Sequence, residues 1–143
     1  MKQCLVDVNV VLALLADGHD HHQIAVGWFD SMSAGETLLC RIVQLSLIRL
    51  LGNRTIMGDK VRSASAAWRL IEELLRDQRI NFIGEPLQID SVFPVMLRYS
   101  TPTNKLVADA WLAAFAIASS SRLVTLDAGF RQFKGLDLHL LQA

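Results

Sequence analysis

Residues 3–10 read QCLVDVNV, and residues 121–127 read SRLVTLD. In both stretches a short run of apolar residues that favour β-strands ends at an aspartate. Runs of this kind alternate with longer helical patterns along the chain, which is typical of βαβ units. The sequence therefore predicts an α/β fold in which a parallel sheet is covered by helices. The strand candidates are residues 3–6, 37–40, 80–83, 122–125 and 138–141.

Signals for helix starts separate these strands. Asp20 followed by Gln23 has the spacing of a capping box, in which each side chain bonds to the backbone near the other. Ser63 precedes a segment with apolar residues at helical spacing. Thr103 or Asn104 is expected to cap an alanine-rich helix that follows. We therefore expect each of these helices to pack on the sheet through its apolar face.

The bulk composition fits one globular domain over residues 1–143, with 52% hydrophobic and 20% charged residues. The two cysteines, Cys4 and Cys40, lie in apolar runs, where a reduced thiol packs as a small hydrophobic group. Asp7 and Asn9 interrupt the first apolar run, which is too short to cross a bilayer. We expect a cytoplasmic protein with no membrane association.

The charges balance overall but not along the chain. There are 14 basic and 14 acidic residues, so the net charge gives no general attraction for nucleic acid. Up to Cys40 the only basic residue is Lys2, whereas residues 41–69 contain six basic residues and a single acidic one, Asp59. Such a basic segment beside an acidic one is suited to hold a polyanion.

Three aspartates are the candidates for chemistry. Asp7 and Asp127 directly follow strands, and ligands of open α/β sheets bind at the carboxyl ends of the strands. Asp109 lies in an otherwise apolar helix. Converging carboxylates suit Mg²⁺ or Mn²⁺, which activate water for phosphodiester hydrolysis. The alternative is structural: Asp7 and Asp127 cap local turns, and Asp109 pairs with Lys105.

These motifs, in this order, resemble those of PIN domains, particularly VapC toxins. The resemblance rests on DVN at residues 7–9, VADAWLAA at residues 107–114 and LVTLD at residues 123–127. It runs the length of the chain. It implies a PIN-like fold with four or five parallel strands, a magnesium-dependent endoribonuclease, a homodimer, and neutralisation by a small VapB-type antitoxin.

The resemblance also assigns roles to single residues. Asp7, Asp109 and Asp127 are the expected catalytic metal ligands, with Asn9 and Thr125 as supporting polar residues. Many PIN domains have a glutamate on the helix after the second strand, where this chain has Gln44. An amide offers a neutral oxygen ligand but cannot act as a carboxylate base. Position 44 is therefore the main departure from the common pattern.

Basic residues near these motifs are candidates for contact with RNA phosphates. Arg41 lies three residues before Gln44, and Lys105 lies one helical turn before Asp109. The complete set of predicted RNA-binding residues is Arg41, Arg49, Arg54 and Lys105.

Two other functions remain open from the sequence. A phosphatase of the haloacid dehalogenase type also has an aspartate after its first strand, but its second aspartate two residues later is replaced here by Asn9. A PIN-like module that binds RNA or a partner without cleaving it would be consistent with Gln44. Phosphoenzyme trapping tests the first alternative, and magnesium-dependent cleavage by the purified protein excludes the second.

Overall fold

Five parallel strands form the centre of the computed structural model, which describes residues 2–98 and 105–142. Their order across the sheet is β3-β2-β1-β4-β5, so the first strand is central and its two neighbours come from distant parts of the chain. The strands are β1 (Cys4–Val6), β2 (Thr37–Cys40), β3 (Ile80–Ile83), β4 (Arg122–Thr125) and β5 (Leu138–Leu140). The predicted parallel sheet is confirmed, with five strands.

Helices connect the strands and cover the sheet. Two short 3₁₀ helices, Gly58–Lys60 and Ala128–Gln132, complete the described secondary structure. The α-helices in the described residues are α1 (Val8–Leu15), α2 (His22–Asp30), α3 (Arg41–Leu51), α4 (Arg54–Met57), α5 (Ala64–Leu74), α6 (Ile89–Leu97) and α7 (Lys105–Ala118). In this part of the chain, no helix is both long and apolar enough to span a bilayer.

The three central strands are mostly apolar, because they are buried on both faces of the sheet. Every residue of β1 and β2 is buried, as are Leu123, Val124 and Thr125 of β4. Parallel strands covered on both faces are expected to be nearly continuous apolar runs, because neither face meets water. The edge strand β3 differs, since Asn81 and Phe82 are exposed.

The predicted helix starts have different outcomes. Ser63 caps α5, since its hydroxyl accepts a hydrogen bond from the backbone of Ala66 at 3.2 Å. The prediction of a capping box at Asp20 is wrong, because α2 begins at His22 and no side chain caps this helix. His22 instead places its Nδ1 atom 2.7 Å from the carbonyl oxygen of Ala13, which fixes the start of α2 against α1. Thr103 and Asn104 lie outside the described residues.

Helix α6 is an element that the sequence patterns did not indicate. It contains Pro94, a residue that lacks the backbone donor and normally marks a helix boundary. Packing overrides this signal, because Ile89 and Met96 are buried and α6 packs along α7. Phe93 also meets Trp111 of α7 edge to face, with ring centroids 5.1 Å apart.

The topology brings the ends of the central strands together at one edge. Val6 lies opposite Val124, and the Asp7 amide donates to the Val124 carbonyl oxygen at 2.9 Å. Asp7 and Thr125 therefore stand side by side where β1 and β4 end. This carboxyl edge of the sheet is where ligands bind in open α/β folds.

At the opposite edge, an ion pair precedes β3. Arg79 donates to both oxygens of Asp77 and lies over the ring of Phe29, 3.7 Å from its centroid. Hydrogen bonds from Arg79 lower the pKa of Asp77 to about 2. The folded state therefore favours the ionised carboxylate more than the unfolded chain does.

We expect Asp77→Asn to lower the free energy of unfolding at pH 7, because asparagine keeps the backbone contact but loses the charge. A carboxyl whose pKa is lowered on folding contributes stability above its unfolded pKa, and that stability is lost as the pH falls through the folded value. The difference between the two proteins should therefore shrink between about pH 4 and pH 2. Urea titrations across this range measure it. A pH-independent difference would mean that the charge is not responsible.

Candidate active site

Asp7 occupies the end of the central strand with its side chain buried. It is the N-cap of α1, and its Oδ1 atom accepts a hydrogen bond from the Val8 amide at 2.7 Å. Its Oδ2 atom accepts one from the Thr125 hydroxyl at 2.7 Å. Only 8% of the residue is exposed. The capping role considered from the sequence is thus present, but it uses only one of the two carboxylate oxygens.

The Thr125 hydroxyl connects the predicted site residues of two strands. It donates to Asp7 and accepts from the Asp127 backbone amide at 3.0 Å. Its oxygen also lies 3.3 Å from Nδ2 of Asn9, and the residue is fully buried. The Oδ1 atom of Asn9 accepts from the Leu126 amide at 3.2 Å. Thr125 and Asn9 therefore join the start of α1 to the segment after β4.

Asp127 lies beside this network and is half-buried. Its Oδ1 atom accepts a hydrogen bond from the Gly129 amide at 2.8 Å, which closes a tight turn. A Cβ atom at position 129 would lie 3.1 Å from that oxygen, closer than ordinary van der Waals contact. Gly129 is a site residue that was not predicted from the sequence. The signal was available, since aspartate followed two residues later by glycine is typical of such turns.

The two carboxylates interact electrostatically. Burial raises the pKa of Asp7, and the nearby charge of Asp127 raises it further, whereas the hydrogen bonds from Thr125 and Val8 lower it. In the described part of the chain, no cationic side chain is among the groups that act on Asp7. A buried carboxylate beside a second one, without a positive partner, is an arrangement that a bound cation stabilises.

The third predicted ligand, Asp109, lies in the second turn of α7 and is half-buried. Helix α7 packs against β4, which carries Thr125. Asp109 is not among the groups that shift the pKa of Asp7, nor is it part of the Thr125 network. The hydrogen bonds of Thr125 thus connect the Asp7 carboxylate to the backbone of Asp127. The side chain of Lys105, predicted to contact RNA or Asp109, lies outside the described residues.

Gln44 is on the buried face of α3 and is fully enclosed. Its Oε1 atom accepts a hydrogen bond from Arg41 at 2.6 Å, whereas its Nε2 atom has no partner. The Arg41 guanidinium stacks over two aromatic rings, those of Phe82 at 4.8 Å and Trp68 at 5.8 Å from their centroids. Arg41 is therefore already engaged within the protein.

Arg41, Arg49 and Arg54 are all exposed, but only the side chains of Arg49 and Arg54 form no hydrogen bond or ion pair with another residue of the described ranges. Arg49 lines a cleft of about 320 Å³ together with Val8, Ser46 and Asn53. Val8 is the first residue of α1 and follows Asp7 directly in the sequence, so this cleft lies near the start of α1.

The donor set agrees with the chemistry of a hard cation. Asp7 and Asp127 supply oxygen atoms, which Mg²⁺ and Mn²⁺ prefer. Within residues 2–98 and 105–142, no group of three or more His, Cys, Asp or Glu side chains is arranged to hold a metal ion. Magnesium is compatible with few protein ligands, because it keeps several of its waters. The residues therefore fit a magnesium ion held by carboxylates and water.

Comparison with known proteins gives consistent results. A model of the PIN domain family matches residues 4–136. Ribonuclease VapC41 of Mycobacterium tuberculosis is 38% identical over 142 residues, which cover 96% of this chain and 97% of that protein. A structure described as VapBC2 from Rickettsia felis bound to a DNA fragment from their promoter matches with a TM-score of 0.67. Its sequence identity is 14%, and the match covers 97% of this chain and 98% of that chain.

The structure of Mycobacterium tuberculosis VapC20, described as a sarcin-ricin loop cleaving toxin, has a TM-score of 0.64 and 17% identity. The match covers 90% of this chain and 93% of that chain. At these identities the two structures support the fold alone.

We expect Thr125→Val to lower the free energy of unfolding by about 1–3 kcal/mol, because it leaves buried partners of the hydroxyl unsatisfied. Valine has nearly the same shape as threonine, so the change tests the hydroxyl and not the packing. Thr125→Ser keeps the hydroxyl and serves as the control. Denaturant titrations of the metal-free proteins provide the measurement. A valine variant as stable as the parental protein would show that the hydrogen bonds contribute nothing.

Proposed function

This chain belongs to the PIN domain family and is related to VapC ribonucleases over almost its whole length, and we propose that it is an endoribonuclease toxin. In this proposal it hydrolyses RNA phosphodiester bonds with Mg²⁺ or Mn²⁺. The observation that carries the proposal is the pair Asp7 and Asp127 at the carboxyl edge of the sheet, where the Thr125 hydroxyl bonds to the Asp7 carboxylate and to the Asp127 backbone amide.

Each residue has a definite part in this proposal. Asp7 and Asp127 hold the metal, and Asp109 is the third ligand, which binds the metal directly or through a water molecule. When bound, the ion supplies an activated water and offsets the charge that develops on the leaving oxygen. Thr125 fixes the Asp7 carboxylate, the Gly129 amide fixes that of Asp127, and Asn9 supports Thr125, so that the carboxylates need not reorganise when substrate arrives. Preorganised charge of this kind is usually the largest contribution to catalysis.

The partners follow from the same relationship. Solved structures of similar fold are described as VapBC or as a toxin-antitoxin complex, and we include a small VapB-type antitoxin as the partner that neutralises this protein. A homodimer that acts in the cytoplasm completes the proposal. The RNA target depends on loop shape and positive surface, and single-stranded segments are the usual sites of sequence-specific recognition.

We expect the purified protein to cleave single-stranded RNA in the presence of Mg²⁺ or Mn²⁺ and to lose this activity in EDTA. Asp7→Asn and Asp127→Asn should abolish cleavage, and Asp109→Asn tests the third ligand. Because Asp7 is a buried carboxylate beside a second one, its replacement should leave the metal-free melting temperature equal or higher. Folded Asp7 and Asp127 variants with parental activity would exclude this site.

We further expect Arg49→Gln and Arg54→Gln to weaken RNA binding and to flatten its dependence on salt. Each lost phosphate contact on single-stranded nucleic acid should reduce the slope of log K against log salt concentration by about 0.7. Arg76→Gln is the matched control, since Arg76 is exposed and follows α5 at the opposite edge of the sheet. RNA binding is measured by fluorescence anisotropy with a short oligoribonucleotide. All variants are made in the Asp7→Asn background, so that the RNA is not cleaved. Equal slopes for all three variants would place the RNA elsewhere.

A further inference from the structure

Position 44 lies at the same edge of the sheet as Asp7. Helix α3 begins directly after β2 and packs against α1, whose N-cap is Asp7. The charge of Asp7 reaches this region, because it contributes to the raised pKa of Cys40, the residue just before α3, although burial is the largest cause. Gln44, one turn into α3, is completely buried there.

The contact with Arg41 fixes which end of the Gln44 amide is available. A guanidinium group only donates hydrogen bonds, so the atom that faces Arg41 at 2.6 Å must be the amide oxygen. The amino end is left without a partner in the buried region. An amide nitrogen that carries two hydrogens is a donor and has no lone pair for a cation.

Arg41 is itself held in place. Its guanidinium lies over the rings of Phe82 and Trp68, and these contacts restrict a side chain that would otherwise move freely at the surface. The restraint keeps the charge of Arg41 next to position 44.

We propose that Arg41 is a positioning residue that makes Gln44 a hydrogen-bond donor and withholds its oxygen from the metal. The inference rests on the proposed function, in which Asp7 and Asp127 hold that metal. It replaces the expectation from the sequence that Gln44 offers a neutral oxygen ligand. It also means that a carboxylate at position 44 is neutralised by Arg41 before it can act on a cation.

The test is a double-mutant cycle in which Mn²⁺ binding is measured by calorimetry. Gln44→Glu alone should change the Mn²⁺ affinity little, because the new carboxylate pairs with Arg41. Gln44→Glu in an Arg41→Met background should tighten Mn²⁺ binding by about tenfold relative to Arg41→Met alone. Arg49→Met is the matched control, since it removes the same charge from the same helix but leaves Arg41 in place. In that background, Gln44→Glu should again have little effect.

The metal-free proteins provide a second measurement that does not depend on the proposed metal or on RNA cleavage. Gln44→Glu should maintain or raise the melting temperature when Arg41 is present, and should lower it by several degrees when Arg41 is replaced. A buried carboxylate without a partner is strongly destabilising, which explains the change of sign. The same effect of Gln44→Glu in both backgrounds, on melting temperature or on Mn²⁺ affinity, would overturn the inference. Loss of RNA cleavage alone would count against the proposed function, but it would not contradict the inference about Arg41 and Gln44.

Discussion

The hydrogen bond between the Thr125 hydroxyl and the Asp7 carboxylate is the contact on which the site depends. It joins residues 118 positions apart in the sequence, and it forms only because β4 lies beside β1. Both groups are buried, so their polar atoms need partners within the protein. The two strands thereby fix a carboxylate in a region where an ionised group is otherwise unfavourable. A charge held in this way is suited to bind a cation.

Other residues at the carboxyl edge of the sheet also form polar contacts near Asp7 and Asp127. Asn9 connects α1 to Leu126, and Gly129 allows Asp127 to turn back toward its own backbone. The Gly129 contact restricts the Asp127 carboxylate directly, and the Asn9 contact restricts the segment that leads to it, and neither adds a positive charge. In contrast, the strong ion pair of Asp77 with Arg79 lies at the opposite edge, where it stabilises the entrance to β3. Among the described residues, none of the ion pairs includes Asp7 or Asp127.

Much of the fold was predictable because strands and helices here follow local patterns. All five strands lie where apolar runs indicated them, and Asp7 and Asp127 follow their strands as expected. Three features were not predictable from local sequence patterns. Helix α6 forms in spite of Pro94 because tertiary packing against α7 compensates, and α2 begins two residues after Asp20 because His22 bonds to α1. The orientation of the Gln44 amide depends on a stacked arginine, whose aromatic partners come from α5 and β3. No spacing rule reveals such a contact.

The strand order has a consequence for the newly made chain. While synthesis proceeds through β3, a partial sheet of β3, β2 and β1 is available, with one side of β1 unpaired. Asp7 then lacks the Thr125 hydroxyl, and Asp127 has not yet been made. Since β4 inserts beside β1 only late, the two carboxylates meet only when nearly the whole chain has left the ribosome. A copy that ends before β4 therefore lacks Thr125 and Asp127 and contains no assembled site.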